Sequence, residues 1–315
     1  MTGCYDREKN IMSDINYKFK YCKIEDIYHI FCCLSDTTFS AVELSIGKKG
    51  PYIISCETMM SMMKTIETID FCCYRGAYSD AYMLIRKCRD DLLQYLFILK
   101  IIKNRHGLTE AELEQFCLEP ESLIKMIEME MEVLISGDRK TEAELAAEKW
   151  FYNELSEAGN ARDRKKFFEA AKYKSYLMCN DKDIKYIFQR FLCDKWKYED
   201  RKLNNYVHTN GIKYLTDNYQ FQENIEKKDQ ELIETLQNVI DIFLTLLAVI
   251  DSTKLQSSDY RDAVETDTKP PEGSQYWVCP IIVGYMNDRF DIELLKYLQE
   301  NEKNAWLANE MGVVV

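Results

Sequence analysis

Met83-Leu-Ile-Arg-Lys-Cys-Arg-Asp-Asp-Leu-Leu-Gln-Tyr-Leu-Phe-Ile-Leu99 repeats apolar residues at three- and four-residue steps: Met83, Leu84, Cys88, Leu92, Leu96 and Leu99. That period belongs to an amphipathic α-helix with one face turned to a core. The pattern begins earlier, through Met59, Met62, Met63, Ile66 and Ile69, so a helical run is expected from Ser55 to about Lys103. Gly76, inside the run, marks either a break or a close packing contact. His106-Gly107 closes it, and Thr109-x-x-Glu112 forms a capping box for the next helix. Helical spacing then covers Ser122 to Ile135, up to the turn Ser136-Gly137-Asp138. It returns over Thr141 to about Ala158, Ala161 to about Cys179, and Asp183 to Trp196, and is strongest over Gln230 to Ile250. Residues 251–275 have loop composition. Trp277-Val-Cys-Pro-Ile-Ile-Val reads as a short strand or extended segment, with Pro280 against the strand. A last helix is expected over Asp291 to Asn309. The expected fold class is all-α.

Composition agrees. The chain has 315 residues, enough for one large domain or two ordinary ones. Only 11 glycines and 5 prolines argue against a many-turned β-sandwich or a Gly-rich nucleotide-binding fold. The net charge of -12 argues against wrapping nucleic acid with the whole surface, though a local basic site remains open. Twelve cysteines suggest a disulfide scaffold, but Met1-Thr-Gly-Cys-Tyr-Asp-Arg-Glu-Lys has charges where a secretion signal needs an apolar run. Cys32, Cys33, Cys72, Cys73, Cys88 and Cys193 sit in apolar periodic runs, where a thiol behaves as a small hydrophobe. No apolar stretch reaches the roughly 18 residues of a membrane span. Ile242 to Ile250, between Asp241 and Asp251, reads as a buried helix segment. The expectation is a reduced, cytoplasmic chain with no membrane association. With no Cys-x-x-Cys pair and three separated histidines, no metal or other cofactor is expected.

Charge is uneven. Glu110 to Glu157 holds fourteen acidic and four basic residues, a net of -10. Arg162 to Lys202 holds thirteen basic and seven acidic residues, a net of +6, interleaved with Phe167, Phe168, Tyr173, Tyr176, Tyr186, Phe188, Trp196 and Tyr198. Lysines beside aromatics can hold a phosphate backbone and stack bases. The favoured alternative has the aromatics in the core and the lysines solvated. The acidic block is either a solvated insertion or a mask for the basic segment.

Arg201-Lys-Leu-Asn-Asn-Tyr-Val-His208 carries the sharpest chemistry. A seven-residue step on an α-helix puts Arg201 and His208 on one face, about 10 Å apart. Asn204 and Asn205 fall between them. Leu203, Tyr206 and Val207 fall opposite, where they can pack inward, and Thr209-Asn210-Gly211 ends the helix. The stripe holds the parts for metal-independent RNA cleavage. The ribose 2′-OH attacks the adjacent phosphate, His208 moves the proton, and Arg201 holds the phosphate. Asn204 or Asn205 orients the backbone or the imidazole. DNA lacks the attacking hydroxyl. Two copies of the stripe, facing across a dimer, would supply a second proton carrier. The alternative is a solvated polar face whose histidine packs or caps.

An arginine followed by six residues and a histidine, late in an all-helical chain, resembles the HEPN superfamily (higher eukaryotes and prokaryotes nucleotide-binding). The stretch from Arg75 through Arg86 and Asp90 is similar to the long packing helix of such proteins. The resemblance implies an antiparallel helical bundle, frequent homodimers, and metal-independent endoribonuclease activity on RNA in many members. Those members often serve bacterial toxin–antitoxin or antiviral defence systems, while others are inactive binding domains. Lys202 stands where active members often carry a small polar residue. The implied organisation is an N-terminal segment (1–54), a first core part (55–105), an acidic helical insertion (106–158), a second core part with the stripe (159–251), and a loop with a C-terminal helical extension (252–315).

Lys202, Arg86 and Asp90 are the expected substrate-binding residues. Arg86 and Asp90, four apart, form either a second polar wall, aligned with Arg75, Tyr78 and Tyr82, or an intrahelical ion pair, the favoured reading. His29 reads as a packed core histidine, His106 as a helix-end residue, and Met59, Met60, Met62 and Met63 as core or dimer interface. Phosphate-binding Gly loops, the Gly-x-Ser-x-Gly elbow and the His-Glu-x-x-His helix are missing, which removes kinase, dehydrogenase, α/β-hydrolase and zincin readings. Two functions remain. One is a dimeric endoribonuclease. The other is a non-catalytic helical interaction protein that uses its charge contrast to dock a protein partner such as an antitoxin.

Overall fold

A computed structural model describes residues 18–35, 54–104, 141–151, 153–218, 224–257, 268 and 278–300. Among them the regular structure is helical, and the one β contact is an isolated antiparallel bridge between Gln256 and Val278. The chain is all-α in its described part. The helices are α1 (Cys22–Ser35), α2 (Ile54–Arg75), α3 (Tyr78–Lys103), α4 (Glu142–Phe151), α5 (Ala161–Phe167) and α6 (Ala170–Asn180). They continue as α7 (Lys182–Ile187), α8 (Cys193–Val207), α9 (Ile212–Thr216), α10 (Ile225–Asp251), α11 (Pro280–Arg289) and α12 (Ile292–Glu300). The expected helix over 122–135, the Thr109/Glu112 box, His106, the far end of the last helix and most of the acidic block lie outside the described residues.

The Ser55–Lys103 run is two helices. Gly76, with φ +71, makes the turn between α2 and α3, and a Cβ there would meet no atom within 4 Å. It therefore serves as a break, which only glycine makes without strain, rather than as a packing contact. α3 is the hub. Tyr82 stacks on Tyr206, Arg86 bonds Asn204 and Arg89 bonds Asp200, so α8 runs antiparallel to it. Tyr78 meets Asp229 and Tyr95 meets Phe243, so α10 runs parallel to it. The N-terminal helix α1 belongs to this same core. Ile24, Ile27, Ile30, Phe31 and Leu34 are buried, and Phe31 lies 6.1 Å from Phe243. Phe243 thus ties together α1, α3 and α10.

α10 is long and apolar enough to cross a membrane by length and composition, but 89 % of its apolar window is buried inside the protein. Ile242 to Ile250 are all buried, as expected. Asp241 on this helix is buried as well, and it is held by Lys195, by Arg289 at 3.0 Å and by the Tyr285 hydroxyl at 2.9 Å. α11 is thereby clamped to the bundle.

Three expectations change. Val278–Val283, the described part of the expected extended run, is not a strand: Val278 makes the bridge to Gln256, and a helix starts at Pro280. Proline suits a first helical position, where its missing N–H is not needed. His29 is exposed rather than packed, because the buried face of α1 follows Ile24, Ile27 and Phe31 and leaves it on the far side. Val207 is exposed too, while Leu203 and Tyr206 pack inward as expected.

The Ala161–Cys179 run breaks at Phe168-Glu169. The helix expected to stop at Trp196 passes through a π turn, Phe188–Leu192, and continues to Val207. Phe167, Phe168, Tyr173, Tyr176, Phe188 and Trp196 are buried in the core or packed against it, and only Tyr186 and Tyr198 of the interleaved aromatics are exposed. This is the core reading of that segment. Cys73 and Cys88 are buried, and Cys22, Cys72, Cys73, Cys88, Cys179 and Cys193 form no disulfide among the described residues. Met59 and Met62 belong to the core.

Candidate functional site

α8 is positioned by its buried stripe of Trp196, Glu199, Leu203 and Tyr206, spaced at three and four residues. Arg201 is on the opposite, solvent side, and His208, the C-cap residue, is exposed beyond it. Neither side chain has a hydrogen bond or ion pair with another described residue. The His208 N–H closes the helix on the Asn204 carbonyl at 3.0 Å. Thr209 (φ 48) and Gly211 (φ 149) then turn the chain into α9.

The asparagines brace this end. Asn204 Oδ1 accepts from Arg86 Nη1, which fixes α8 to α3. Asn205 Nδ2 donates to the Tyr214 hydroxyl at 3.2 Å, and its Oδ1 accepts from Asn210 at 3.2 Å, so it ties the turn after His208 to α9. Both amides are engaged in holding the scaffold that carries Arg201 and His208.

Arg86 also donates from Nε to Asp90 at 3.2 Å, the expected four-residue ion pair. The pair extends further. Asp90 accepts two bonds from Arg89, at 2.9 and 2.8 Å, and Arg89 reaches Asp200 at 2.9 Å while lying over the Trp196 ring. An alternating chain Asn204–Arg86–Asp90–Arg89–Asp200 therefore zips α3 to α8. Tyr78 and Tyr82 are buried and do not extend this wall, and Arg75, at the end of α2, is exposed.

Lys202 is not beside Arg201 and His208. One residue on, a helix turns by about 100°, and Lys202 faces α10. There it donates to Thr235 Oγ1 at 2.8 Å and lies 4.9 Å from the Tyr82 ring centroid. It lines a cavity of about 760 Å³ between the start of α1, α8 and α10. Burial lowers its pKa, and burial raises that of Glu199 on the same wall. Glu199 was not anticipated, although a charged residue in register with Trp196, Leu203 and Tyr206 is a readable sign of a buried carboxyl. Asp200 and Arg89 were missed because only the packing of two helices pairs them.

Among the described residues no group of three or more His, Cys, Asp and Glu is placed to hold a metal ion. Comparison of the chain with family models, with curated proteins and with solved structures gives no match.

Proposed function

We propose that this chain is a metal-independent endoribonuclease that acts in the cytoplasm as part of a bacterial toxin or antiviral defence system. The observation that supports the reading is the exposure of Arg201, on the solvent side of α8, and of His208, at its C-cap. An arginine without a carboxylate partner is available to a phosphate, and an exposed imidazole is available to a hydroxyl proton.

In this reading Arg201 binds the scissile phosphate and offsets charge on its non-bridging oxygens. His208 takes the proton of the 2′-OH as that oxygen bonds to phosphorus. The 5′-oxygen leaves, and the products are a 2′,3′-cyclic phosphate and a 5′-hydroxyl. The leaving oxygen needs a proton, which the histidine of a second copy supplies. Support for a second copy comes from Val207, Ile212 and Leu215, apolar and exposed near His208 in sequence. Asn204, Asn205 and Arg86 act as positioning residues, and Asp90 holds Arg86. The toxin and defence setting rests on the resemblance of the Arg201/His208 spacing.

The test is cleavage of end-labelled RNA by wild type and His208→Ala in excess EDTA. Cleavage by wild type alone, leaving cyclic phosphate ends, is the expected result. Equal cleavage by both proteins, or none by either, sinks the reading. The exposed Ile212 and Leu215 also favour a second reading, a non-catalytic interaction protein whose α9 docks a protein partner. In that case association survives His208→Ala.

A further inference from the structure

The cavity between the start of α1, α8 and α10 contains a polar atom that the fold leaves unmet. Glu199 is 2 % exposed, and its two carboxylate oxygens are treated differently. Oε1 accepts from Asn238 Nδ2 at 2.7 Å. The orientation of that amide is dictated by its other side. Arg289 Nη2 donates to Asn238 Oδ1 at 3.1 Å, and a guanidinium has only donors. Oε2 has no hydrogen-bond partner. Thr235 Oγ1 lies close to this carboxyl, but its single proton goes to the Glu231 carbonyl at 2.8 Å and its oxygen accepts from Lys202. Buried carboxylate oxygens in folded proteins are nearly always satisfied, so an unmet one at a cavity wall points to a ligand donor.

Lys202, three residues on, does not form an ion pair with Glu199. Two of its three protons go to Thr235 and to the Glu231 carbonyl at 3.4 Å, which leaves one. The wall therefore offers an acceptor and a donor about one helical turn apart. Tyr198, 65 % exposed, adds a ring to the same wall, and Lys20 and Lys23 line the cavity from the start of α1.

We propose that this cavity binds the edge of a nucleobase, a flat ring with a hydrogen-bond donor beside an acceptor. The donor meets Glu199 Oε2, the acceptor meets Lys202, and the ring face lies on Tyr198. Lys23 meets the phosphate attached to the sugar, with Lys20, which pairs with Asp229 at 3.6 Å, beside it. The wall carries Glu231 and Glu234 beside Glu199 and the three lysines, so a simple anion and a simple cation are both disfavoured. The volume of about 760 Å³ falls within the range of small-molecule sites. Burial pushes the Glu199 carboxyl up and the Lys202 ammonium down, so each charge gains from a ligand that pairs it. The site faces α10, on another side of α8 from Arg201 and His208, and stands independently of cleavage there.

The experiment titrates the full chain by calorimetry with the four nucleoside 5′-monophosphates and with short uniform RNA oligonucleotides. Wild type is expected to bind at least one probe. In Glu199→Gln the amide oxygen stays toward Asn238, so an NH2 replaces the acceptor, and affinity falls by roughly tenfold or more. Tyr198→Ala, at an exposed position that leaves the fold intact, weakens binding by roughly tenfold through lost stacking. Binding lost in His208→Ala but kept in Glu199→Gln would place the probe at the cleavage site and overturn the proposal. Binding of oligonucleotide but not monophosphate, lost in Glu199→Gln, assigns the base to a strand. No binding of any probe at millimolar concentration overturns the proposal, as does equal binding by wild type, Glu199→Gln and Tyr198→Ala.

Discussion

Arg86 on α3 and Asn204 on α8, 118 residues apart in sequence, are joined by a hydrogen bond from Nη1 to Oδ1. The bond fixes the last turn of α8, the turn that carries His208, to the central helix of the bundle. The Arg86 side chain is 21 % exposed and also holds Asp90. A charge-assisted bond in partial solvent is expected to couple its two ends by about 1 kcal/mol. Urea unfolding of Arg86→Ala, Asn204→Ala and the double variant measures that coupling. Strictly additive losses would mean that the contact contributes nothing.

Asp241 is the strongest polar node of the core. Its carboxylate gathers Lys195, Arg289 and Tyr285 at a buried position on α10. Asp241→Ala takes the carboxylate from Lys195 and Tyr285 and leaves Arg289 with only its more exposed partner Glu234, and the expected loss is about 3 kcal/mol. Lys195→Ala should cost much less, because Arg289 and Tyr285 still satisfy the carboxylate. Thermal unfolding of the two variants decides the order. A Lys195 variant as damaged as the Asp241 variant would contradict it.

How much of this was open to the sequence follows from the range of each interaction. The helices of the core show a 3.6-residue period, so their existence and buried faces are readable from local spacing. Gly76 left two readings, because sequence does not report φ. Pro280 misled for a related reason: it opposes a strand wherever it stands, but at the first position of α11 it favours a helix. Arg201 is exposed, as the apolar stripe of α8 implies, and His208 is exposed at the C-cap. Lys202 shares their segment but turns to α10, and no local rule places Thr235 or Tyr82 against it. The chain from Asn204 to Asp200 is invisible until α3 and α8 are set antiparallel.

Glu199 makes stability depend on pH in a direction opposite to that of a salt-bridged carboxylate. Burial raises its pKa above the ordinary value, more than the Asn238 bond and Lys202 lower it. The folded state therefore binds this proton more tightly than the unfolded chain does. Its contribution is fully present below the unfolded pKa, near 4.5, and is lost as pH rises through the higher folded value. Glu199→Gln, which carries no charge, should gain stability relative to wild type between pH 4 and pH 7. Urea midpoints of the two proteins at both pH values check this, and an unchanged difference would be the contrary result.

Removal of Arg201 or His208 should leave the fold almost untouched. Both side chains are exposed and have no partner among the described residues, so Arg201→Ala and His208→Ala are expected within about 0.5 kcal/mol of wild type. If the proposed cleavage operates, loss of the proton carrier lowers its rate by roughly 100-fold or more. The two measurements together separate chemistry from folding. A large loss of stability in either variant would assign the residue a structural role.

α9 carries the last test. Ile212 is 80 % exposed and Leu215 60 % exposed, on a five-residue helix that begins four residues after His208. Exposed apolar side chains scattered singly are ordinary, but these two follow Val207, exposed too, within eight residues of sequence that include His208. Covered by a second copy of the chain, they would bring two His208 side chains together and supply both proton transfers. Ile212→Asp with Leu215→Asp places charge in such an interface and disturbs little in the monomer, because neither side chain is buried. The expected outcome by light scattering is a dimer for wild type and a monomer for the double variant, with cleavage lost alongside the dimer. A wild-type monomer that cleaves would show that one copy suffices. A wild-type monomer that binds a protein partner through this face, and does not cleave, would favour the interaction protein.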